Sequence, residues 1–228
     1  MLTERKEHLL QLVVEHFIDT VQPIASRFLI DQEALDIGEA TVRNELRALE
    51  EAGYLTHPHT SAGRMPTELG YQYYVEHIMK PATVSHQEQQ HLNTLCNQPE
   101  TERRLQIKSV AKWCSEASGN AVIVSFNEDS MYYTGMSNLF AQPEFQNYAH
   151  TVQVSRIFDH CEEKMSDIVP LLQEQQVHTF IGQKNPLGAA CSTIAVALSQ
   201  GETFLFLGPM RMNYKQNTAR AAYIQQYL

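Results

Sequence analysis

The sequence predicts an α+β chain: an N-terminal winged helix-turn-helix domain over residues 1–80, a helical connector over 81–118 and a small α+β domain over 119–228. Three observations predict it. An amphipathic helix over Glu39 to Glu51 runs directly into a short hairpin, a stretch rich in Gln, His and Asn follows from Ala82 to about Glu100, and short apolar strands then alternate with helical segments. Mixed order with hairpin-compatible strands points to an antiparallel sheet with helices on it.

Thr3 is placed to cap a first helix, in which Leu9, Leu10, Val13, Val14, Phe17 and Ile18 recur on one face until about Thr20. Pro23 marks the expected start of a second helix, whose apolar side is Ile24, Phe28 and Leu29, with Ser26 and Arg27 left for phosphate. In the third helix Val42, Leu46 and Leu49 form the inner face, while Ala40, Arg43, Asn44 and Arg47 face outward. Major-groove readout favours Arg on guanine and Asn on adenine, so this outer face carries suitable chemistry. Gly53 stops the helix, Tyr54-Leu55-Thr56 reads as a strand, and the hairpin then carries His57, His59, Thr60, Ser61, Gly63 and Arg64. No acid occurs from Ala52 to Thr67, which suits a hairpin lying against phosphate. The competing role for Arg43, Asn44 and Arg47 is to solubilise an exposed helix and pair with Glu50 or Glu51.

The run ATVRNELRALEEAGYLTHPHTSAGRMPTELGYQYYVEHI resembles the DNA-binding region of the heat-inducible transcription repressors, the HrcA family. Its hairpin carries that family's PHTSAGR-x-PT-x-x-GY pattern, from Pro58 to Arg64 and then Pro66, Thr67, Gly70 and Tyr71. Together with the resemblance, these readings make Ser26, Arg27, Thr41, Arg43, Asn44, Arg47, His59, Thr60, Ser61, Gly63 and Arg64 the residues expected to meet double-stranded DNA. The resemblance also implies an inverted-repeat operator of chaperone genes, a homodimer to span it, and a GroEL-type chaperonin as a partner through which stress releases the repressor. One departure stands at the helix entrance: Gly38 and Glu39 replace the family's usual Ser followed by a small residue or Pro, removing a cap and adding an acid.

Beyond the hairpin, Thr67 to Lys80 reads as a helix with Tyr71, Tyr74 and Ile78 on one side, closed by Pro81. A second amphipathic helix is expected from Glu102 to Ala117, broken at Gly119, with a strand over Ala121 to Phe126. Helical stretches are expected near Glu144 to His160 and Pro170 to Gln175, strands over Val177–Ile181, Ser192–Leu198 and Thr203–Leu207, and a last helix from Gln216 to Tyr227. MYYTGMSNLFAQPEFQN, FIGQKNP and CSTIAVALSQGETFLFLGPMRMNY extend the resemblance, which implies a GAF-like regulatory domain here. The family usually carries an inserted dimerisation domain, whereas here Phe126 is followed almost at once by Met131-Tyr132-Tyr133.

The formal charge of −9 argues against a general nucleic-acid coat. Residues 1–80 hold seven basic side chains against thirteen acidic ones, so binding there would rest on a small local patch. Cys96, Cys114, Cys161 and Cys191 are widely spaced, which suggests reduced thiols, neither a disulfide framework nor a zinc site. His57 and His59 lack a neighbouring Cys or acid, so no metal is expected. The GQKNPLG turn lacks G-K-[ST], no arrangement nominates a nucleophile and base, and neither a cofactor nor an enzymatic activity is expected. Arg211, after a Gly-Pro turn, is assigned a structural role ahead of binding a partner or small anion. With no long apolar run, the chain is expected to be soluble and cytoplasmic, with no membrane partner. The second functional reading is a small-molecule- or chaperone-sensing module with weakened DNA binding.

Overall fold

The structure, a computed structural model, describes residues 1–33, 38–59, 62–80, 82–97, 102–127, 130–173 and 175–228. The chain divides into two compact units, Met1–Lys80 and Pro81–Leu228.

The first unit is built on α1 (Glu4–Thr20), whose buried Leu9, Leu10, Val13 and Val14 follow the sequence periodicity. Thr3 precedes it in extended backbone, but its side chain makes no capping hydrogen bond, so the expected cap is absent. Helix α2 (Ser26–Glu33) begins three residues after Pro23, because Ile24 is held outside it: the Ile24 N–H donates to the Arg64 carbonyl at 2.9 Å and the Arg64 N–H donates back at 2.8 Å. Helix α3 (Glu39–Glu51) buries Val42, Leu46 and Leu49 against this core. Burying side chains of this size contributes roughly 1.5–3 kcal/mol each, which outweighs the missing side-chain cap at Gly38.

Gly53, at φ +82°, ends α3, and β1 (Leu55–Thr56) pairs antiparallel with β2 (Met65–Pro66). Helix α4 (Glu68–Tyr73) starts at a working cap: the Thr67 hydroxyl oxygen accepts from the Gly70 N–H at 3.1 Å and its proton goes to the Gly53 carbonyl at 2.6 Å. A Cβ on Gly70 would lie 2.2 Å from the Tyr54 carbonyl oxygen, so only glycine fits this turn of helix against the hairpin. The expected single helix to Lys80 instead widens into a π turn over Tyr74–Ile78. Adjacent Tyr73 and Tyr74 both reach α1, donating to Glu7 at 2.7 Å and Glu15 at 3.1 Å.

The second unit opens with α5 (His86–Cys96) and α6 (Arg103–Ser118). Ser85 and Glu88 form a reciprocal capping box on α5. These helices, read from sequence as a connector, lie in the same compact unit as the sheet, with α6 packed on β3. Strands β3 (Ala121–Asn127) and β4 (Ser130–Thr134) form an antiparallel pair, followed by α7 (Met136–Phe140), α8 (Tyr148–Asp159), α9 (Cys161–Ile168), β5 (His178–Ile181), β6 (Ser192–Ala197), β7 (Thr203–Gly208) and α10 (Tyr214–Tyr227).

All five strands pair antiparallel in the order β4-β3-β7-β6-β5. Ala121, Ile123, Ala195, Leu205 and Leu207 share one core with residues of α7, α8 and α9. Alternation places Val122, Val124, Ile194, Phe204 and Phe206 on the opposite face, towards α6 and α10, where they too are fully buried. Burial on both faces explains why β3 and β7 read as nearly continuous apolar runs. The helix expected near Pro170 to Gln175 is a single 3₁₀ turn at Val169–Leu171, and the helical residues precede it in α9. Pro170 has no N–H to continue the α9 ladder. Likewise the stretch from Glu144 is split: a 3₁₀ turn at Pro143–Gln146 precedes Asn147, whose side chain caps α8 by accepting from the His150 N–H at 3.2 Å.

Arg211 donates to both oxygens of Glu144, at 2.6 and 3.2 Å, and to Gln142 at 3.2 Å, tying the Gly208–Pro209 turn to the segment before α8. All four cysteines are free and buried. Burial pushes Cys96 up to about 11 and Cys161 and Cys191 to about 12, so their thiols stay protonated at neutral pH.

Burial alone would raise the Glu88 and Glu202 carboxyls, but hydrogen bonds from Arg220 and Ser85 to Glu88, and from Arg103 to Glu202, hold both below the usual carboxylate range. A lowered folded value stabilises the fold above the unfolded value and is lost as pH falls through the folded one. Thermal unfolding of the full chain, measured from about pH 6 down to about pH 3, should therefore show a falling midpoint. The Arg103→Ala/Arg220→Ala double variant should start lower and fall less steeply.

Candidate nucleic-acid interface

In the first unit, the N-terminal end of α2, the outer face of α3 and the descending arm of the hairpin enclose an open cleft of about 480 Å³. Ser26, Arg43, Asn44, Arg47, Gly63 and Arg64 line it together. They come from three separate sequence segments, and the same inner packing that buries Val42, Leu46 and Leu49 turns Arg43, Asn44 and Arg47 outward. Thr41, half-buried, and exposed Arg27 and His59 are not among the residues lining the cleft. Thr60 and Ser61 lie outside the described residues.

Each arginine is engaged by a carboxylate. Arg43 donates to Glu39 at 2.5 Å and its Nε lies 3.4 Å from the Ser26 hydroxyl, bridging α3 to α2. Arg47 donates to Glu51 at 2.9 Å, and Arg27 stands 3.8 Å from Asp31. These are exposed i,i+4 pairs, worth only a few tenths of a kcal/mol and exchangeable for phosphate. Arg64 differs: its side chain is 25% exposed, against 68% for Arg43 and 75% for Arg47, and its Nη2 donates to Glu50 at 2.8 Å. The other Glu50 oxygen meets His57 Nδ1.

The pairing of Glu50 with His57 and Arg64 is what the sequence does not show. Glu50 was offered as a partner for the outward arginines, yet it lies four residues after buried Leu46 and turns towards the hairpin. That spacing is the available signal. Among the described residues no group of three or more His, Cys, Asp or Glu side chains is arranged to hold a metal ion, and no helix is long and apolar enough to cross a membrane.

A family profile described as the HrcA protein C terminal domain matches residues 75–217. The chain belongs to the HrcA family. Curated relatives named heat-inducible transcription repressor HrcA include one from Chloroflexus aurantiacus, 51% identical over 88 residues, covering 39% of this chain and 24% of the relative. Another, from Roseiflexus castenholzii, is 42% identical over 124 residues, covering 54% of this chain and 34% of the relative. The chain thus matches about a quarter to a third of the length of these HrcA relatives. A crystal structure of a hypothetical protein covers 100% of both chains with a TM-score of 0.75 at 13% identity, a likeness of fold alone.

Gly63 sits where the hairpin meets α2, and a Cβ there would lie 2.5 Å from the Ile24 carbonyl carbon and oxygen. Gly63→Ala should therefore part the two hydrogen bonds between Ile24 and Arg64 and cost about 1–3 kcal/mol, read as a lower denaturant midpoint. Gly38→Ala, with open space around its Cβ, should be nearly silent.

Proposed function

We propose that residues 1–80 form a winged helix-turn-helix domain binding double-stranded DNA, that 81–118 link it to a GAF-like regulatory domain at 119–228, and that the chain is a sequence-specific repressor of heat-shock and chaperone genes. The observation that carries this reading is the cleft that gathers Ser26, Arg43, Asn44, Arg47, Gly63 and Arg64 between two helices and a hairpin. Arg43, Asn44 and Arg47 read base edges in the major groove, while Ser26, Arg27, Thr41 and the hairpin from His59 through Thr60, Ser61 and Gly63 to Arg64 align the phosphate backbone. The names of the relatives supply the heat-inducible repressor role. An inverted-repeat operator needs two heads at fixed spacing, so the working species is a homodimer. Release under stress passes through the second unit by contact with a GroEL-type chaperonin. No catalytic step is assigned, and the place of action is the cytoplasm.

A second reading, a small-molecule- or chaperone-sensing module with weakened DNA binding, draws on one observation. Arg27, Arg43 and Arg47 are already paired with Asp31, Glu39 and Glu51, which phosphate must displace.

The test is selection of binding sites from random duplex DNA, followed by fluorescence-anisotropy titration of the selected duplex and a scrambled one. The repressor reading expects recovery of an inverted repeat bound preferentially by a dimer, and Arg47→Ala should cut the selected-to-scrambled ratio about tenfold or more. Glu51→Gln, which frees Arg47, should tighten binding to both duplexes by about threefold. Recovery of no common sequence would remove this reading in favour of the second.

A further inference from the structure

Resting on the DNA-binding reading above, we propose that Glu50 is a positioning residue, and that Arg64 serves DNA binding by holding the hairpin to α3 through Glu50 and makes no phosphate contact of its own.

The two oxygens of one carboxylate hold both arms of the hairpin. Glu50 Oε1 meets His57 Nδ1 just after β1, and Glu50 Oε2 accepts from Arg64 Nη2 at 2.8 Å just before β2. The ladder between β1 and β2 is only two residue pairs long, so it fixes little of the segment from His57 to Arg64 by itself. Two further links fix the descending arm: the Arg64 backbone exchanges both its hydrogen bonds with Ile24, and its Nη1 lies 3.5 Å from the Ala62 carbonyl. Nη2 is on Glu50, Nη1 faces the Ala62 carbonyl and Nε is buried, so reaching phosphate would turn the guanidinium off Glu50 while the backbone stayed pinned.

Burial decides between the two roles. Glu50 and Arg64 side chains are 22% and 25% exposed, and His57 is 33% exposed. An ion pair at this depth is screened less than the exposed Arg43 and Arg47 pairs, and removing one member strands the other in a partly desolvated site. Phosphate therefore displaces Glu39 and Glu51 from their arginines at low cost, but displaces Glu50 from Arg64 only by leaving an acid beside the DNA, held by His57. The same pairing explains how an acid is tolerated between α3 and a hairpin facing a polyanion. Its charge is met by Arg64, and its two oxygens are taken up by His57 and Arg64.

The consequence is geometric. The separation between the base-reading face of α3 and the phosphate-aligning hairpin is set by Glu50, so loosening the clasp blurs the register between the two sets of contacts. Counterion release separates this role from direct contact, because each lost phosphate contact lowers the salt slope of log affinity by about one unit.

The experiment titrates wild type, Glu50→Gln, Arg64→Gln, the double variant and Arg47→Gln with the selected duplex and its scrambled control. Salt runs from about 50 to 200 mM, at a temperature where all variants match wild type in helical circular dichroism. Glu50→Gln keeps the side-chain shape, so it tests the clasp even where Arg64→Gln alters the hairpin. Either single variant should lower the selected-to-scrambled ratio about tenfold, the double should cost little more than one single, and the salt slopes should equal wild type while Arg47→Gln lowers its slope. A slope reduced by one unit in Arg64→Gln, or full additivity of the two changes, overturns the positioning role while leaving DNA binding intact. A wild-type chain that does not discriminate between the duplexes overturns the DNA-binding reading, and the positioning role falls with it.

Discussion

The two hydrogen bonds exchanged between Ile24 and Arg64 organise the first unit, because they join the turn before α2 to the hairpin after α3. They require backbone to approach backbone at Gly63, where any side chain would meet the Ile24 carbonyl. From this contact follow the late start of α2, the closed side of the cleft, and the placing of Arg64 against Glu50. Gly70 plays the parallel part on the other side of the hairpin, letting the first turn of α4 lie on the Tyr54 carbonyl. A hairpin with only two paired residues per strand is thus held between two close approaches and one carboxylate.

In the second unit the governing constraint is burial of the sheet on both faces. Ile123 and Leu205 serve one core while Val124 and Phe204 serve the other, so the central strands are covered on both faces. The charged residues that join elements here work in bidentate or multiple pairs: Arg211 on Glu144, Arg103 on Glu202, Arg220 on Glu88. Each arginine is mostly buried and carries several hydrogen bonds, which distinguishes these links from the loose surface pairs of α3. The electrostatics of the chain therefore divide into cationic groups committed to structure and a few left exchangeable at the cleft.

Much of this was legible in the residues. The bounds of α1 and α3, the stop at Gly53 and the strands β3, β6 and β7 follow from periodicity and from glycine at a left-handed position. The start of α2 was misread because Pro23 is a local signal, overruled by a bridge to a residue forty positions later. The break at Pro143–Gln146 and the π turn at Tyr74 likewise answer to tertiary contacts that a window of residues does not contain. At the candidate site the outward arginines were legible from the wheel, while the Glu50 clasp was not, since its partners sit seven and fourteen residues away across a turn. Arg211 was legible as structural, but nothing in its own segment names Glu144 as its partner.

The measurement that tests the central claim most directly is amide chemical-shift mapping on the isotope-labelled 228-residue chain titrated with the selected duplex. The account expects the largest shifts at Ser26, Arg43, Asn44, Arg47 and the residues around Gly63, with the sheet strands β3, β6 and β7 unmoved. Shifts concentrated on the sheet unit, with α3 and the hairpin silent, would contradict it.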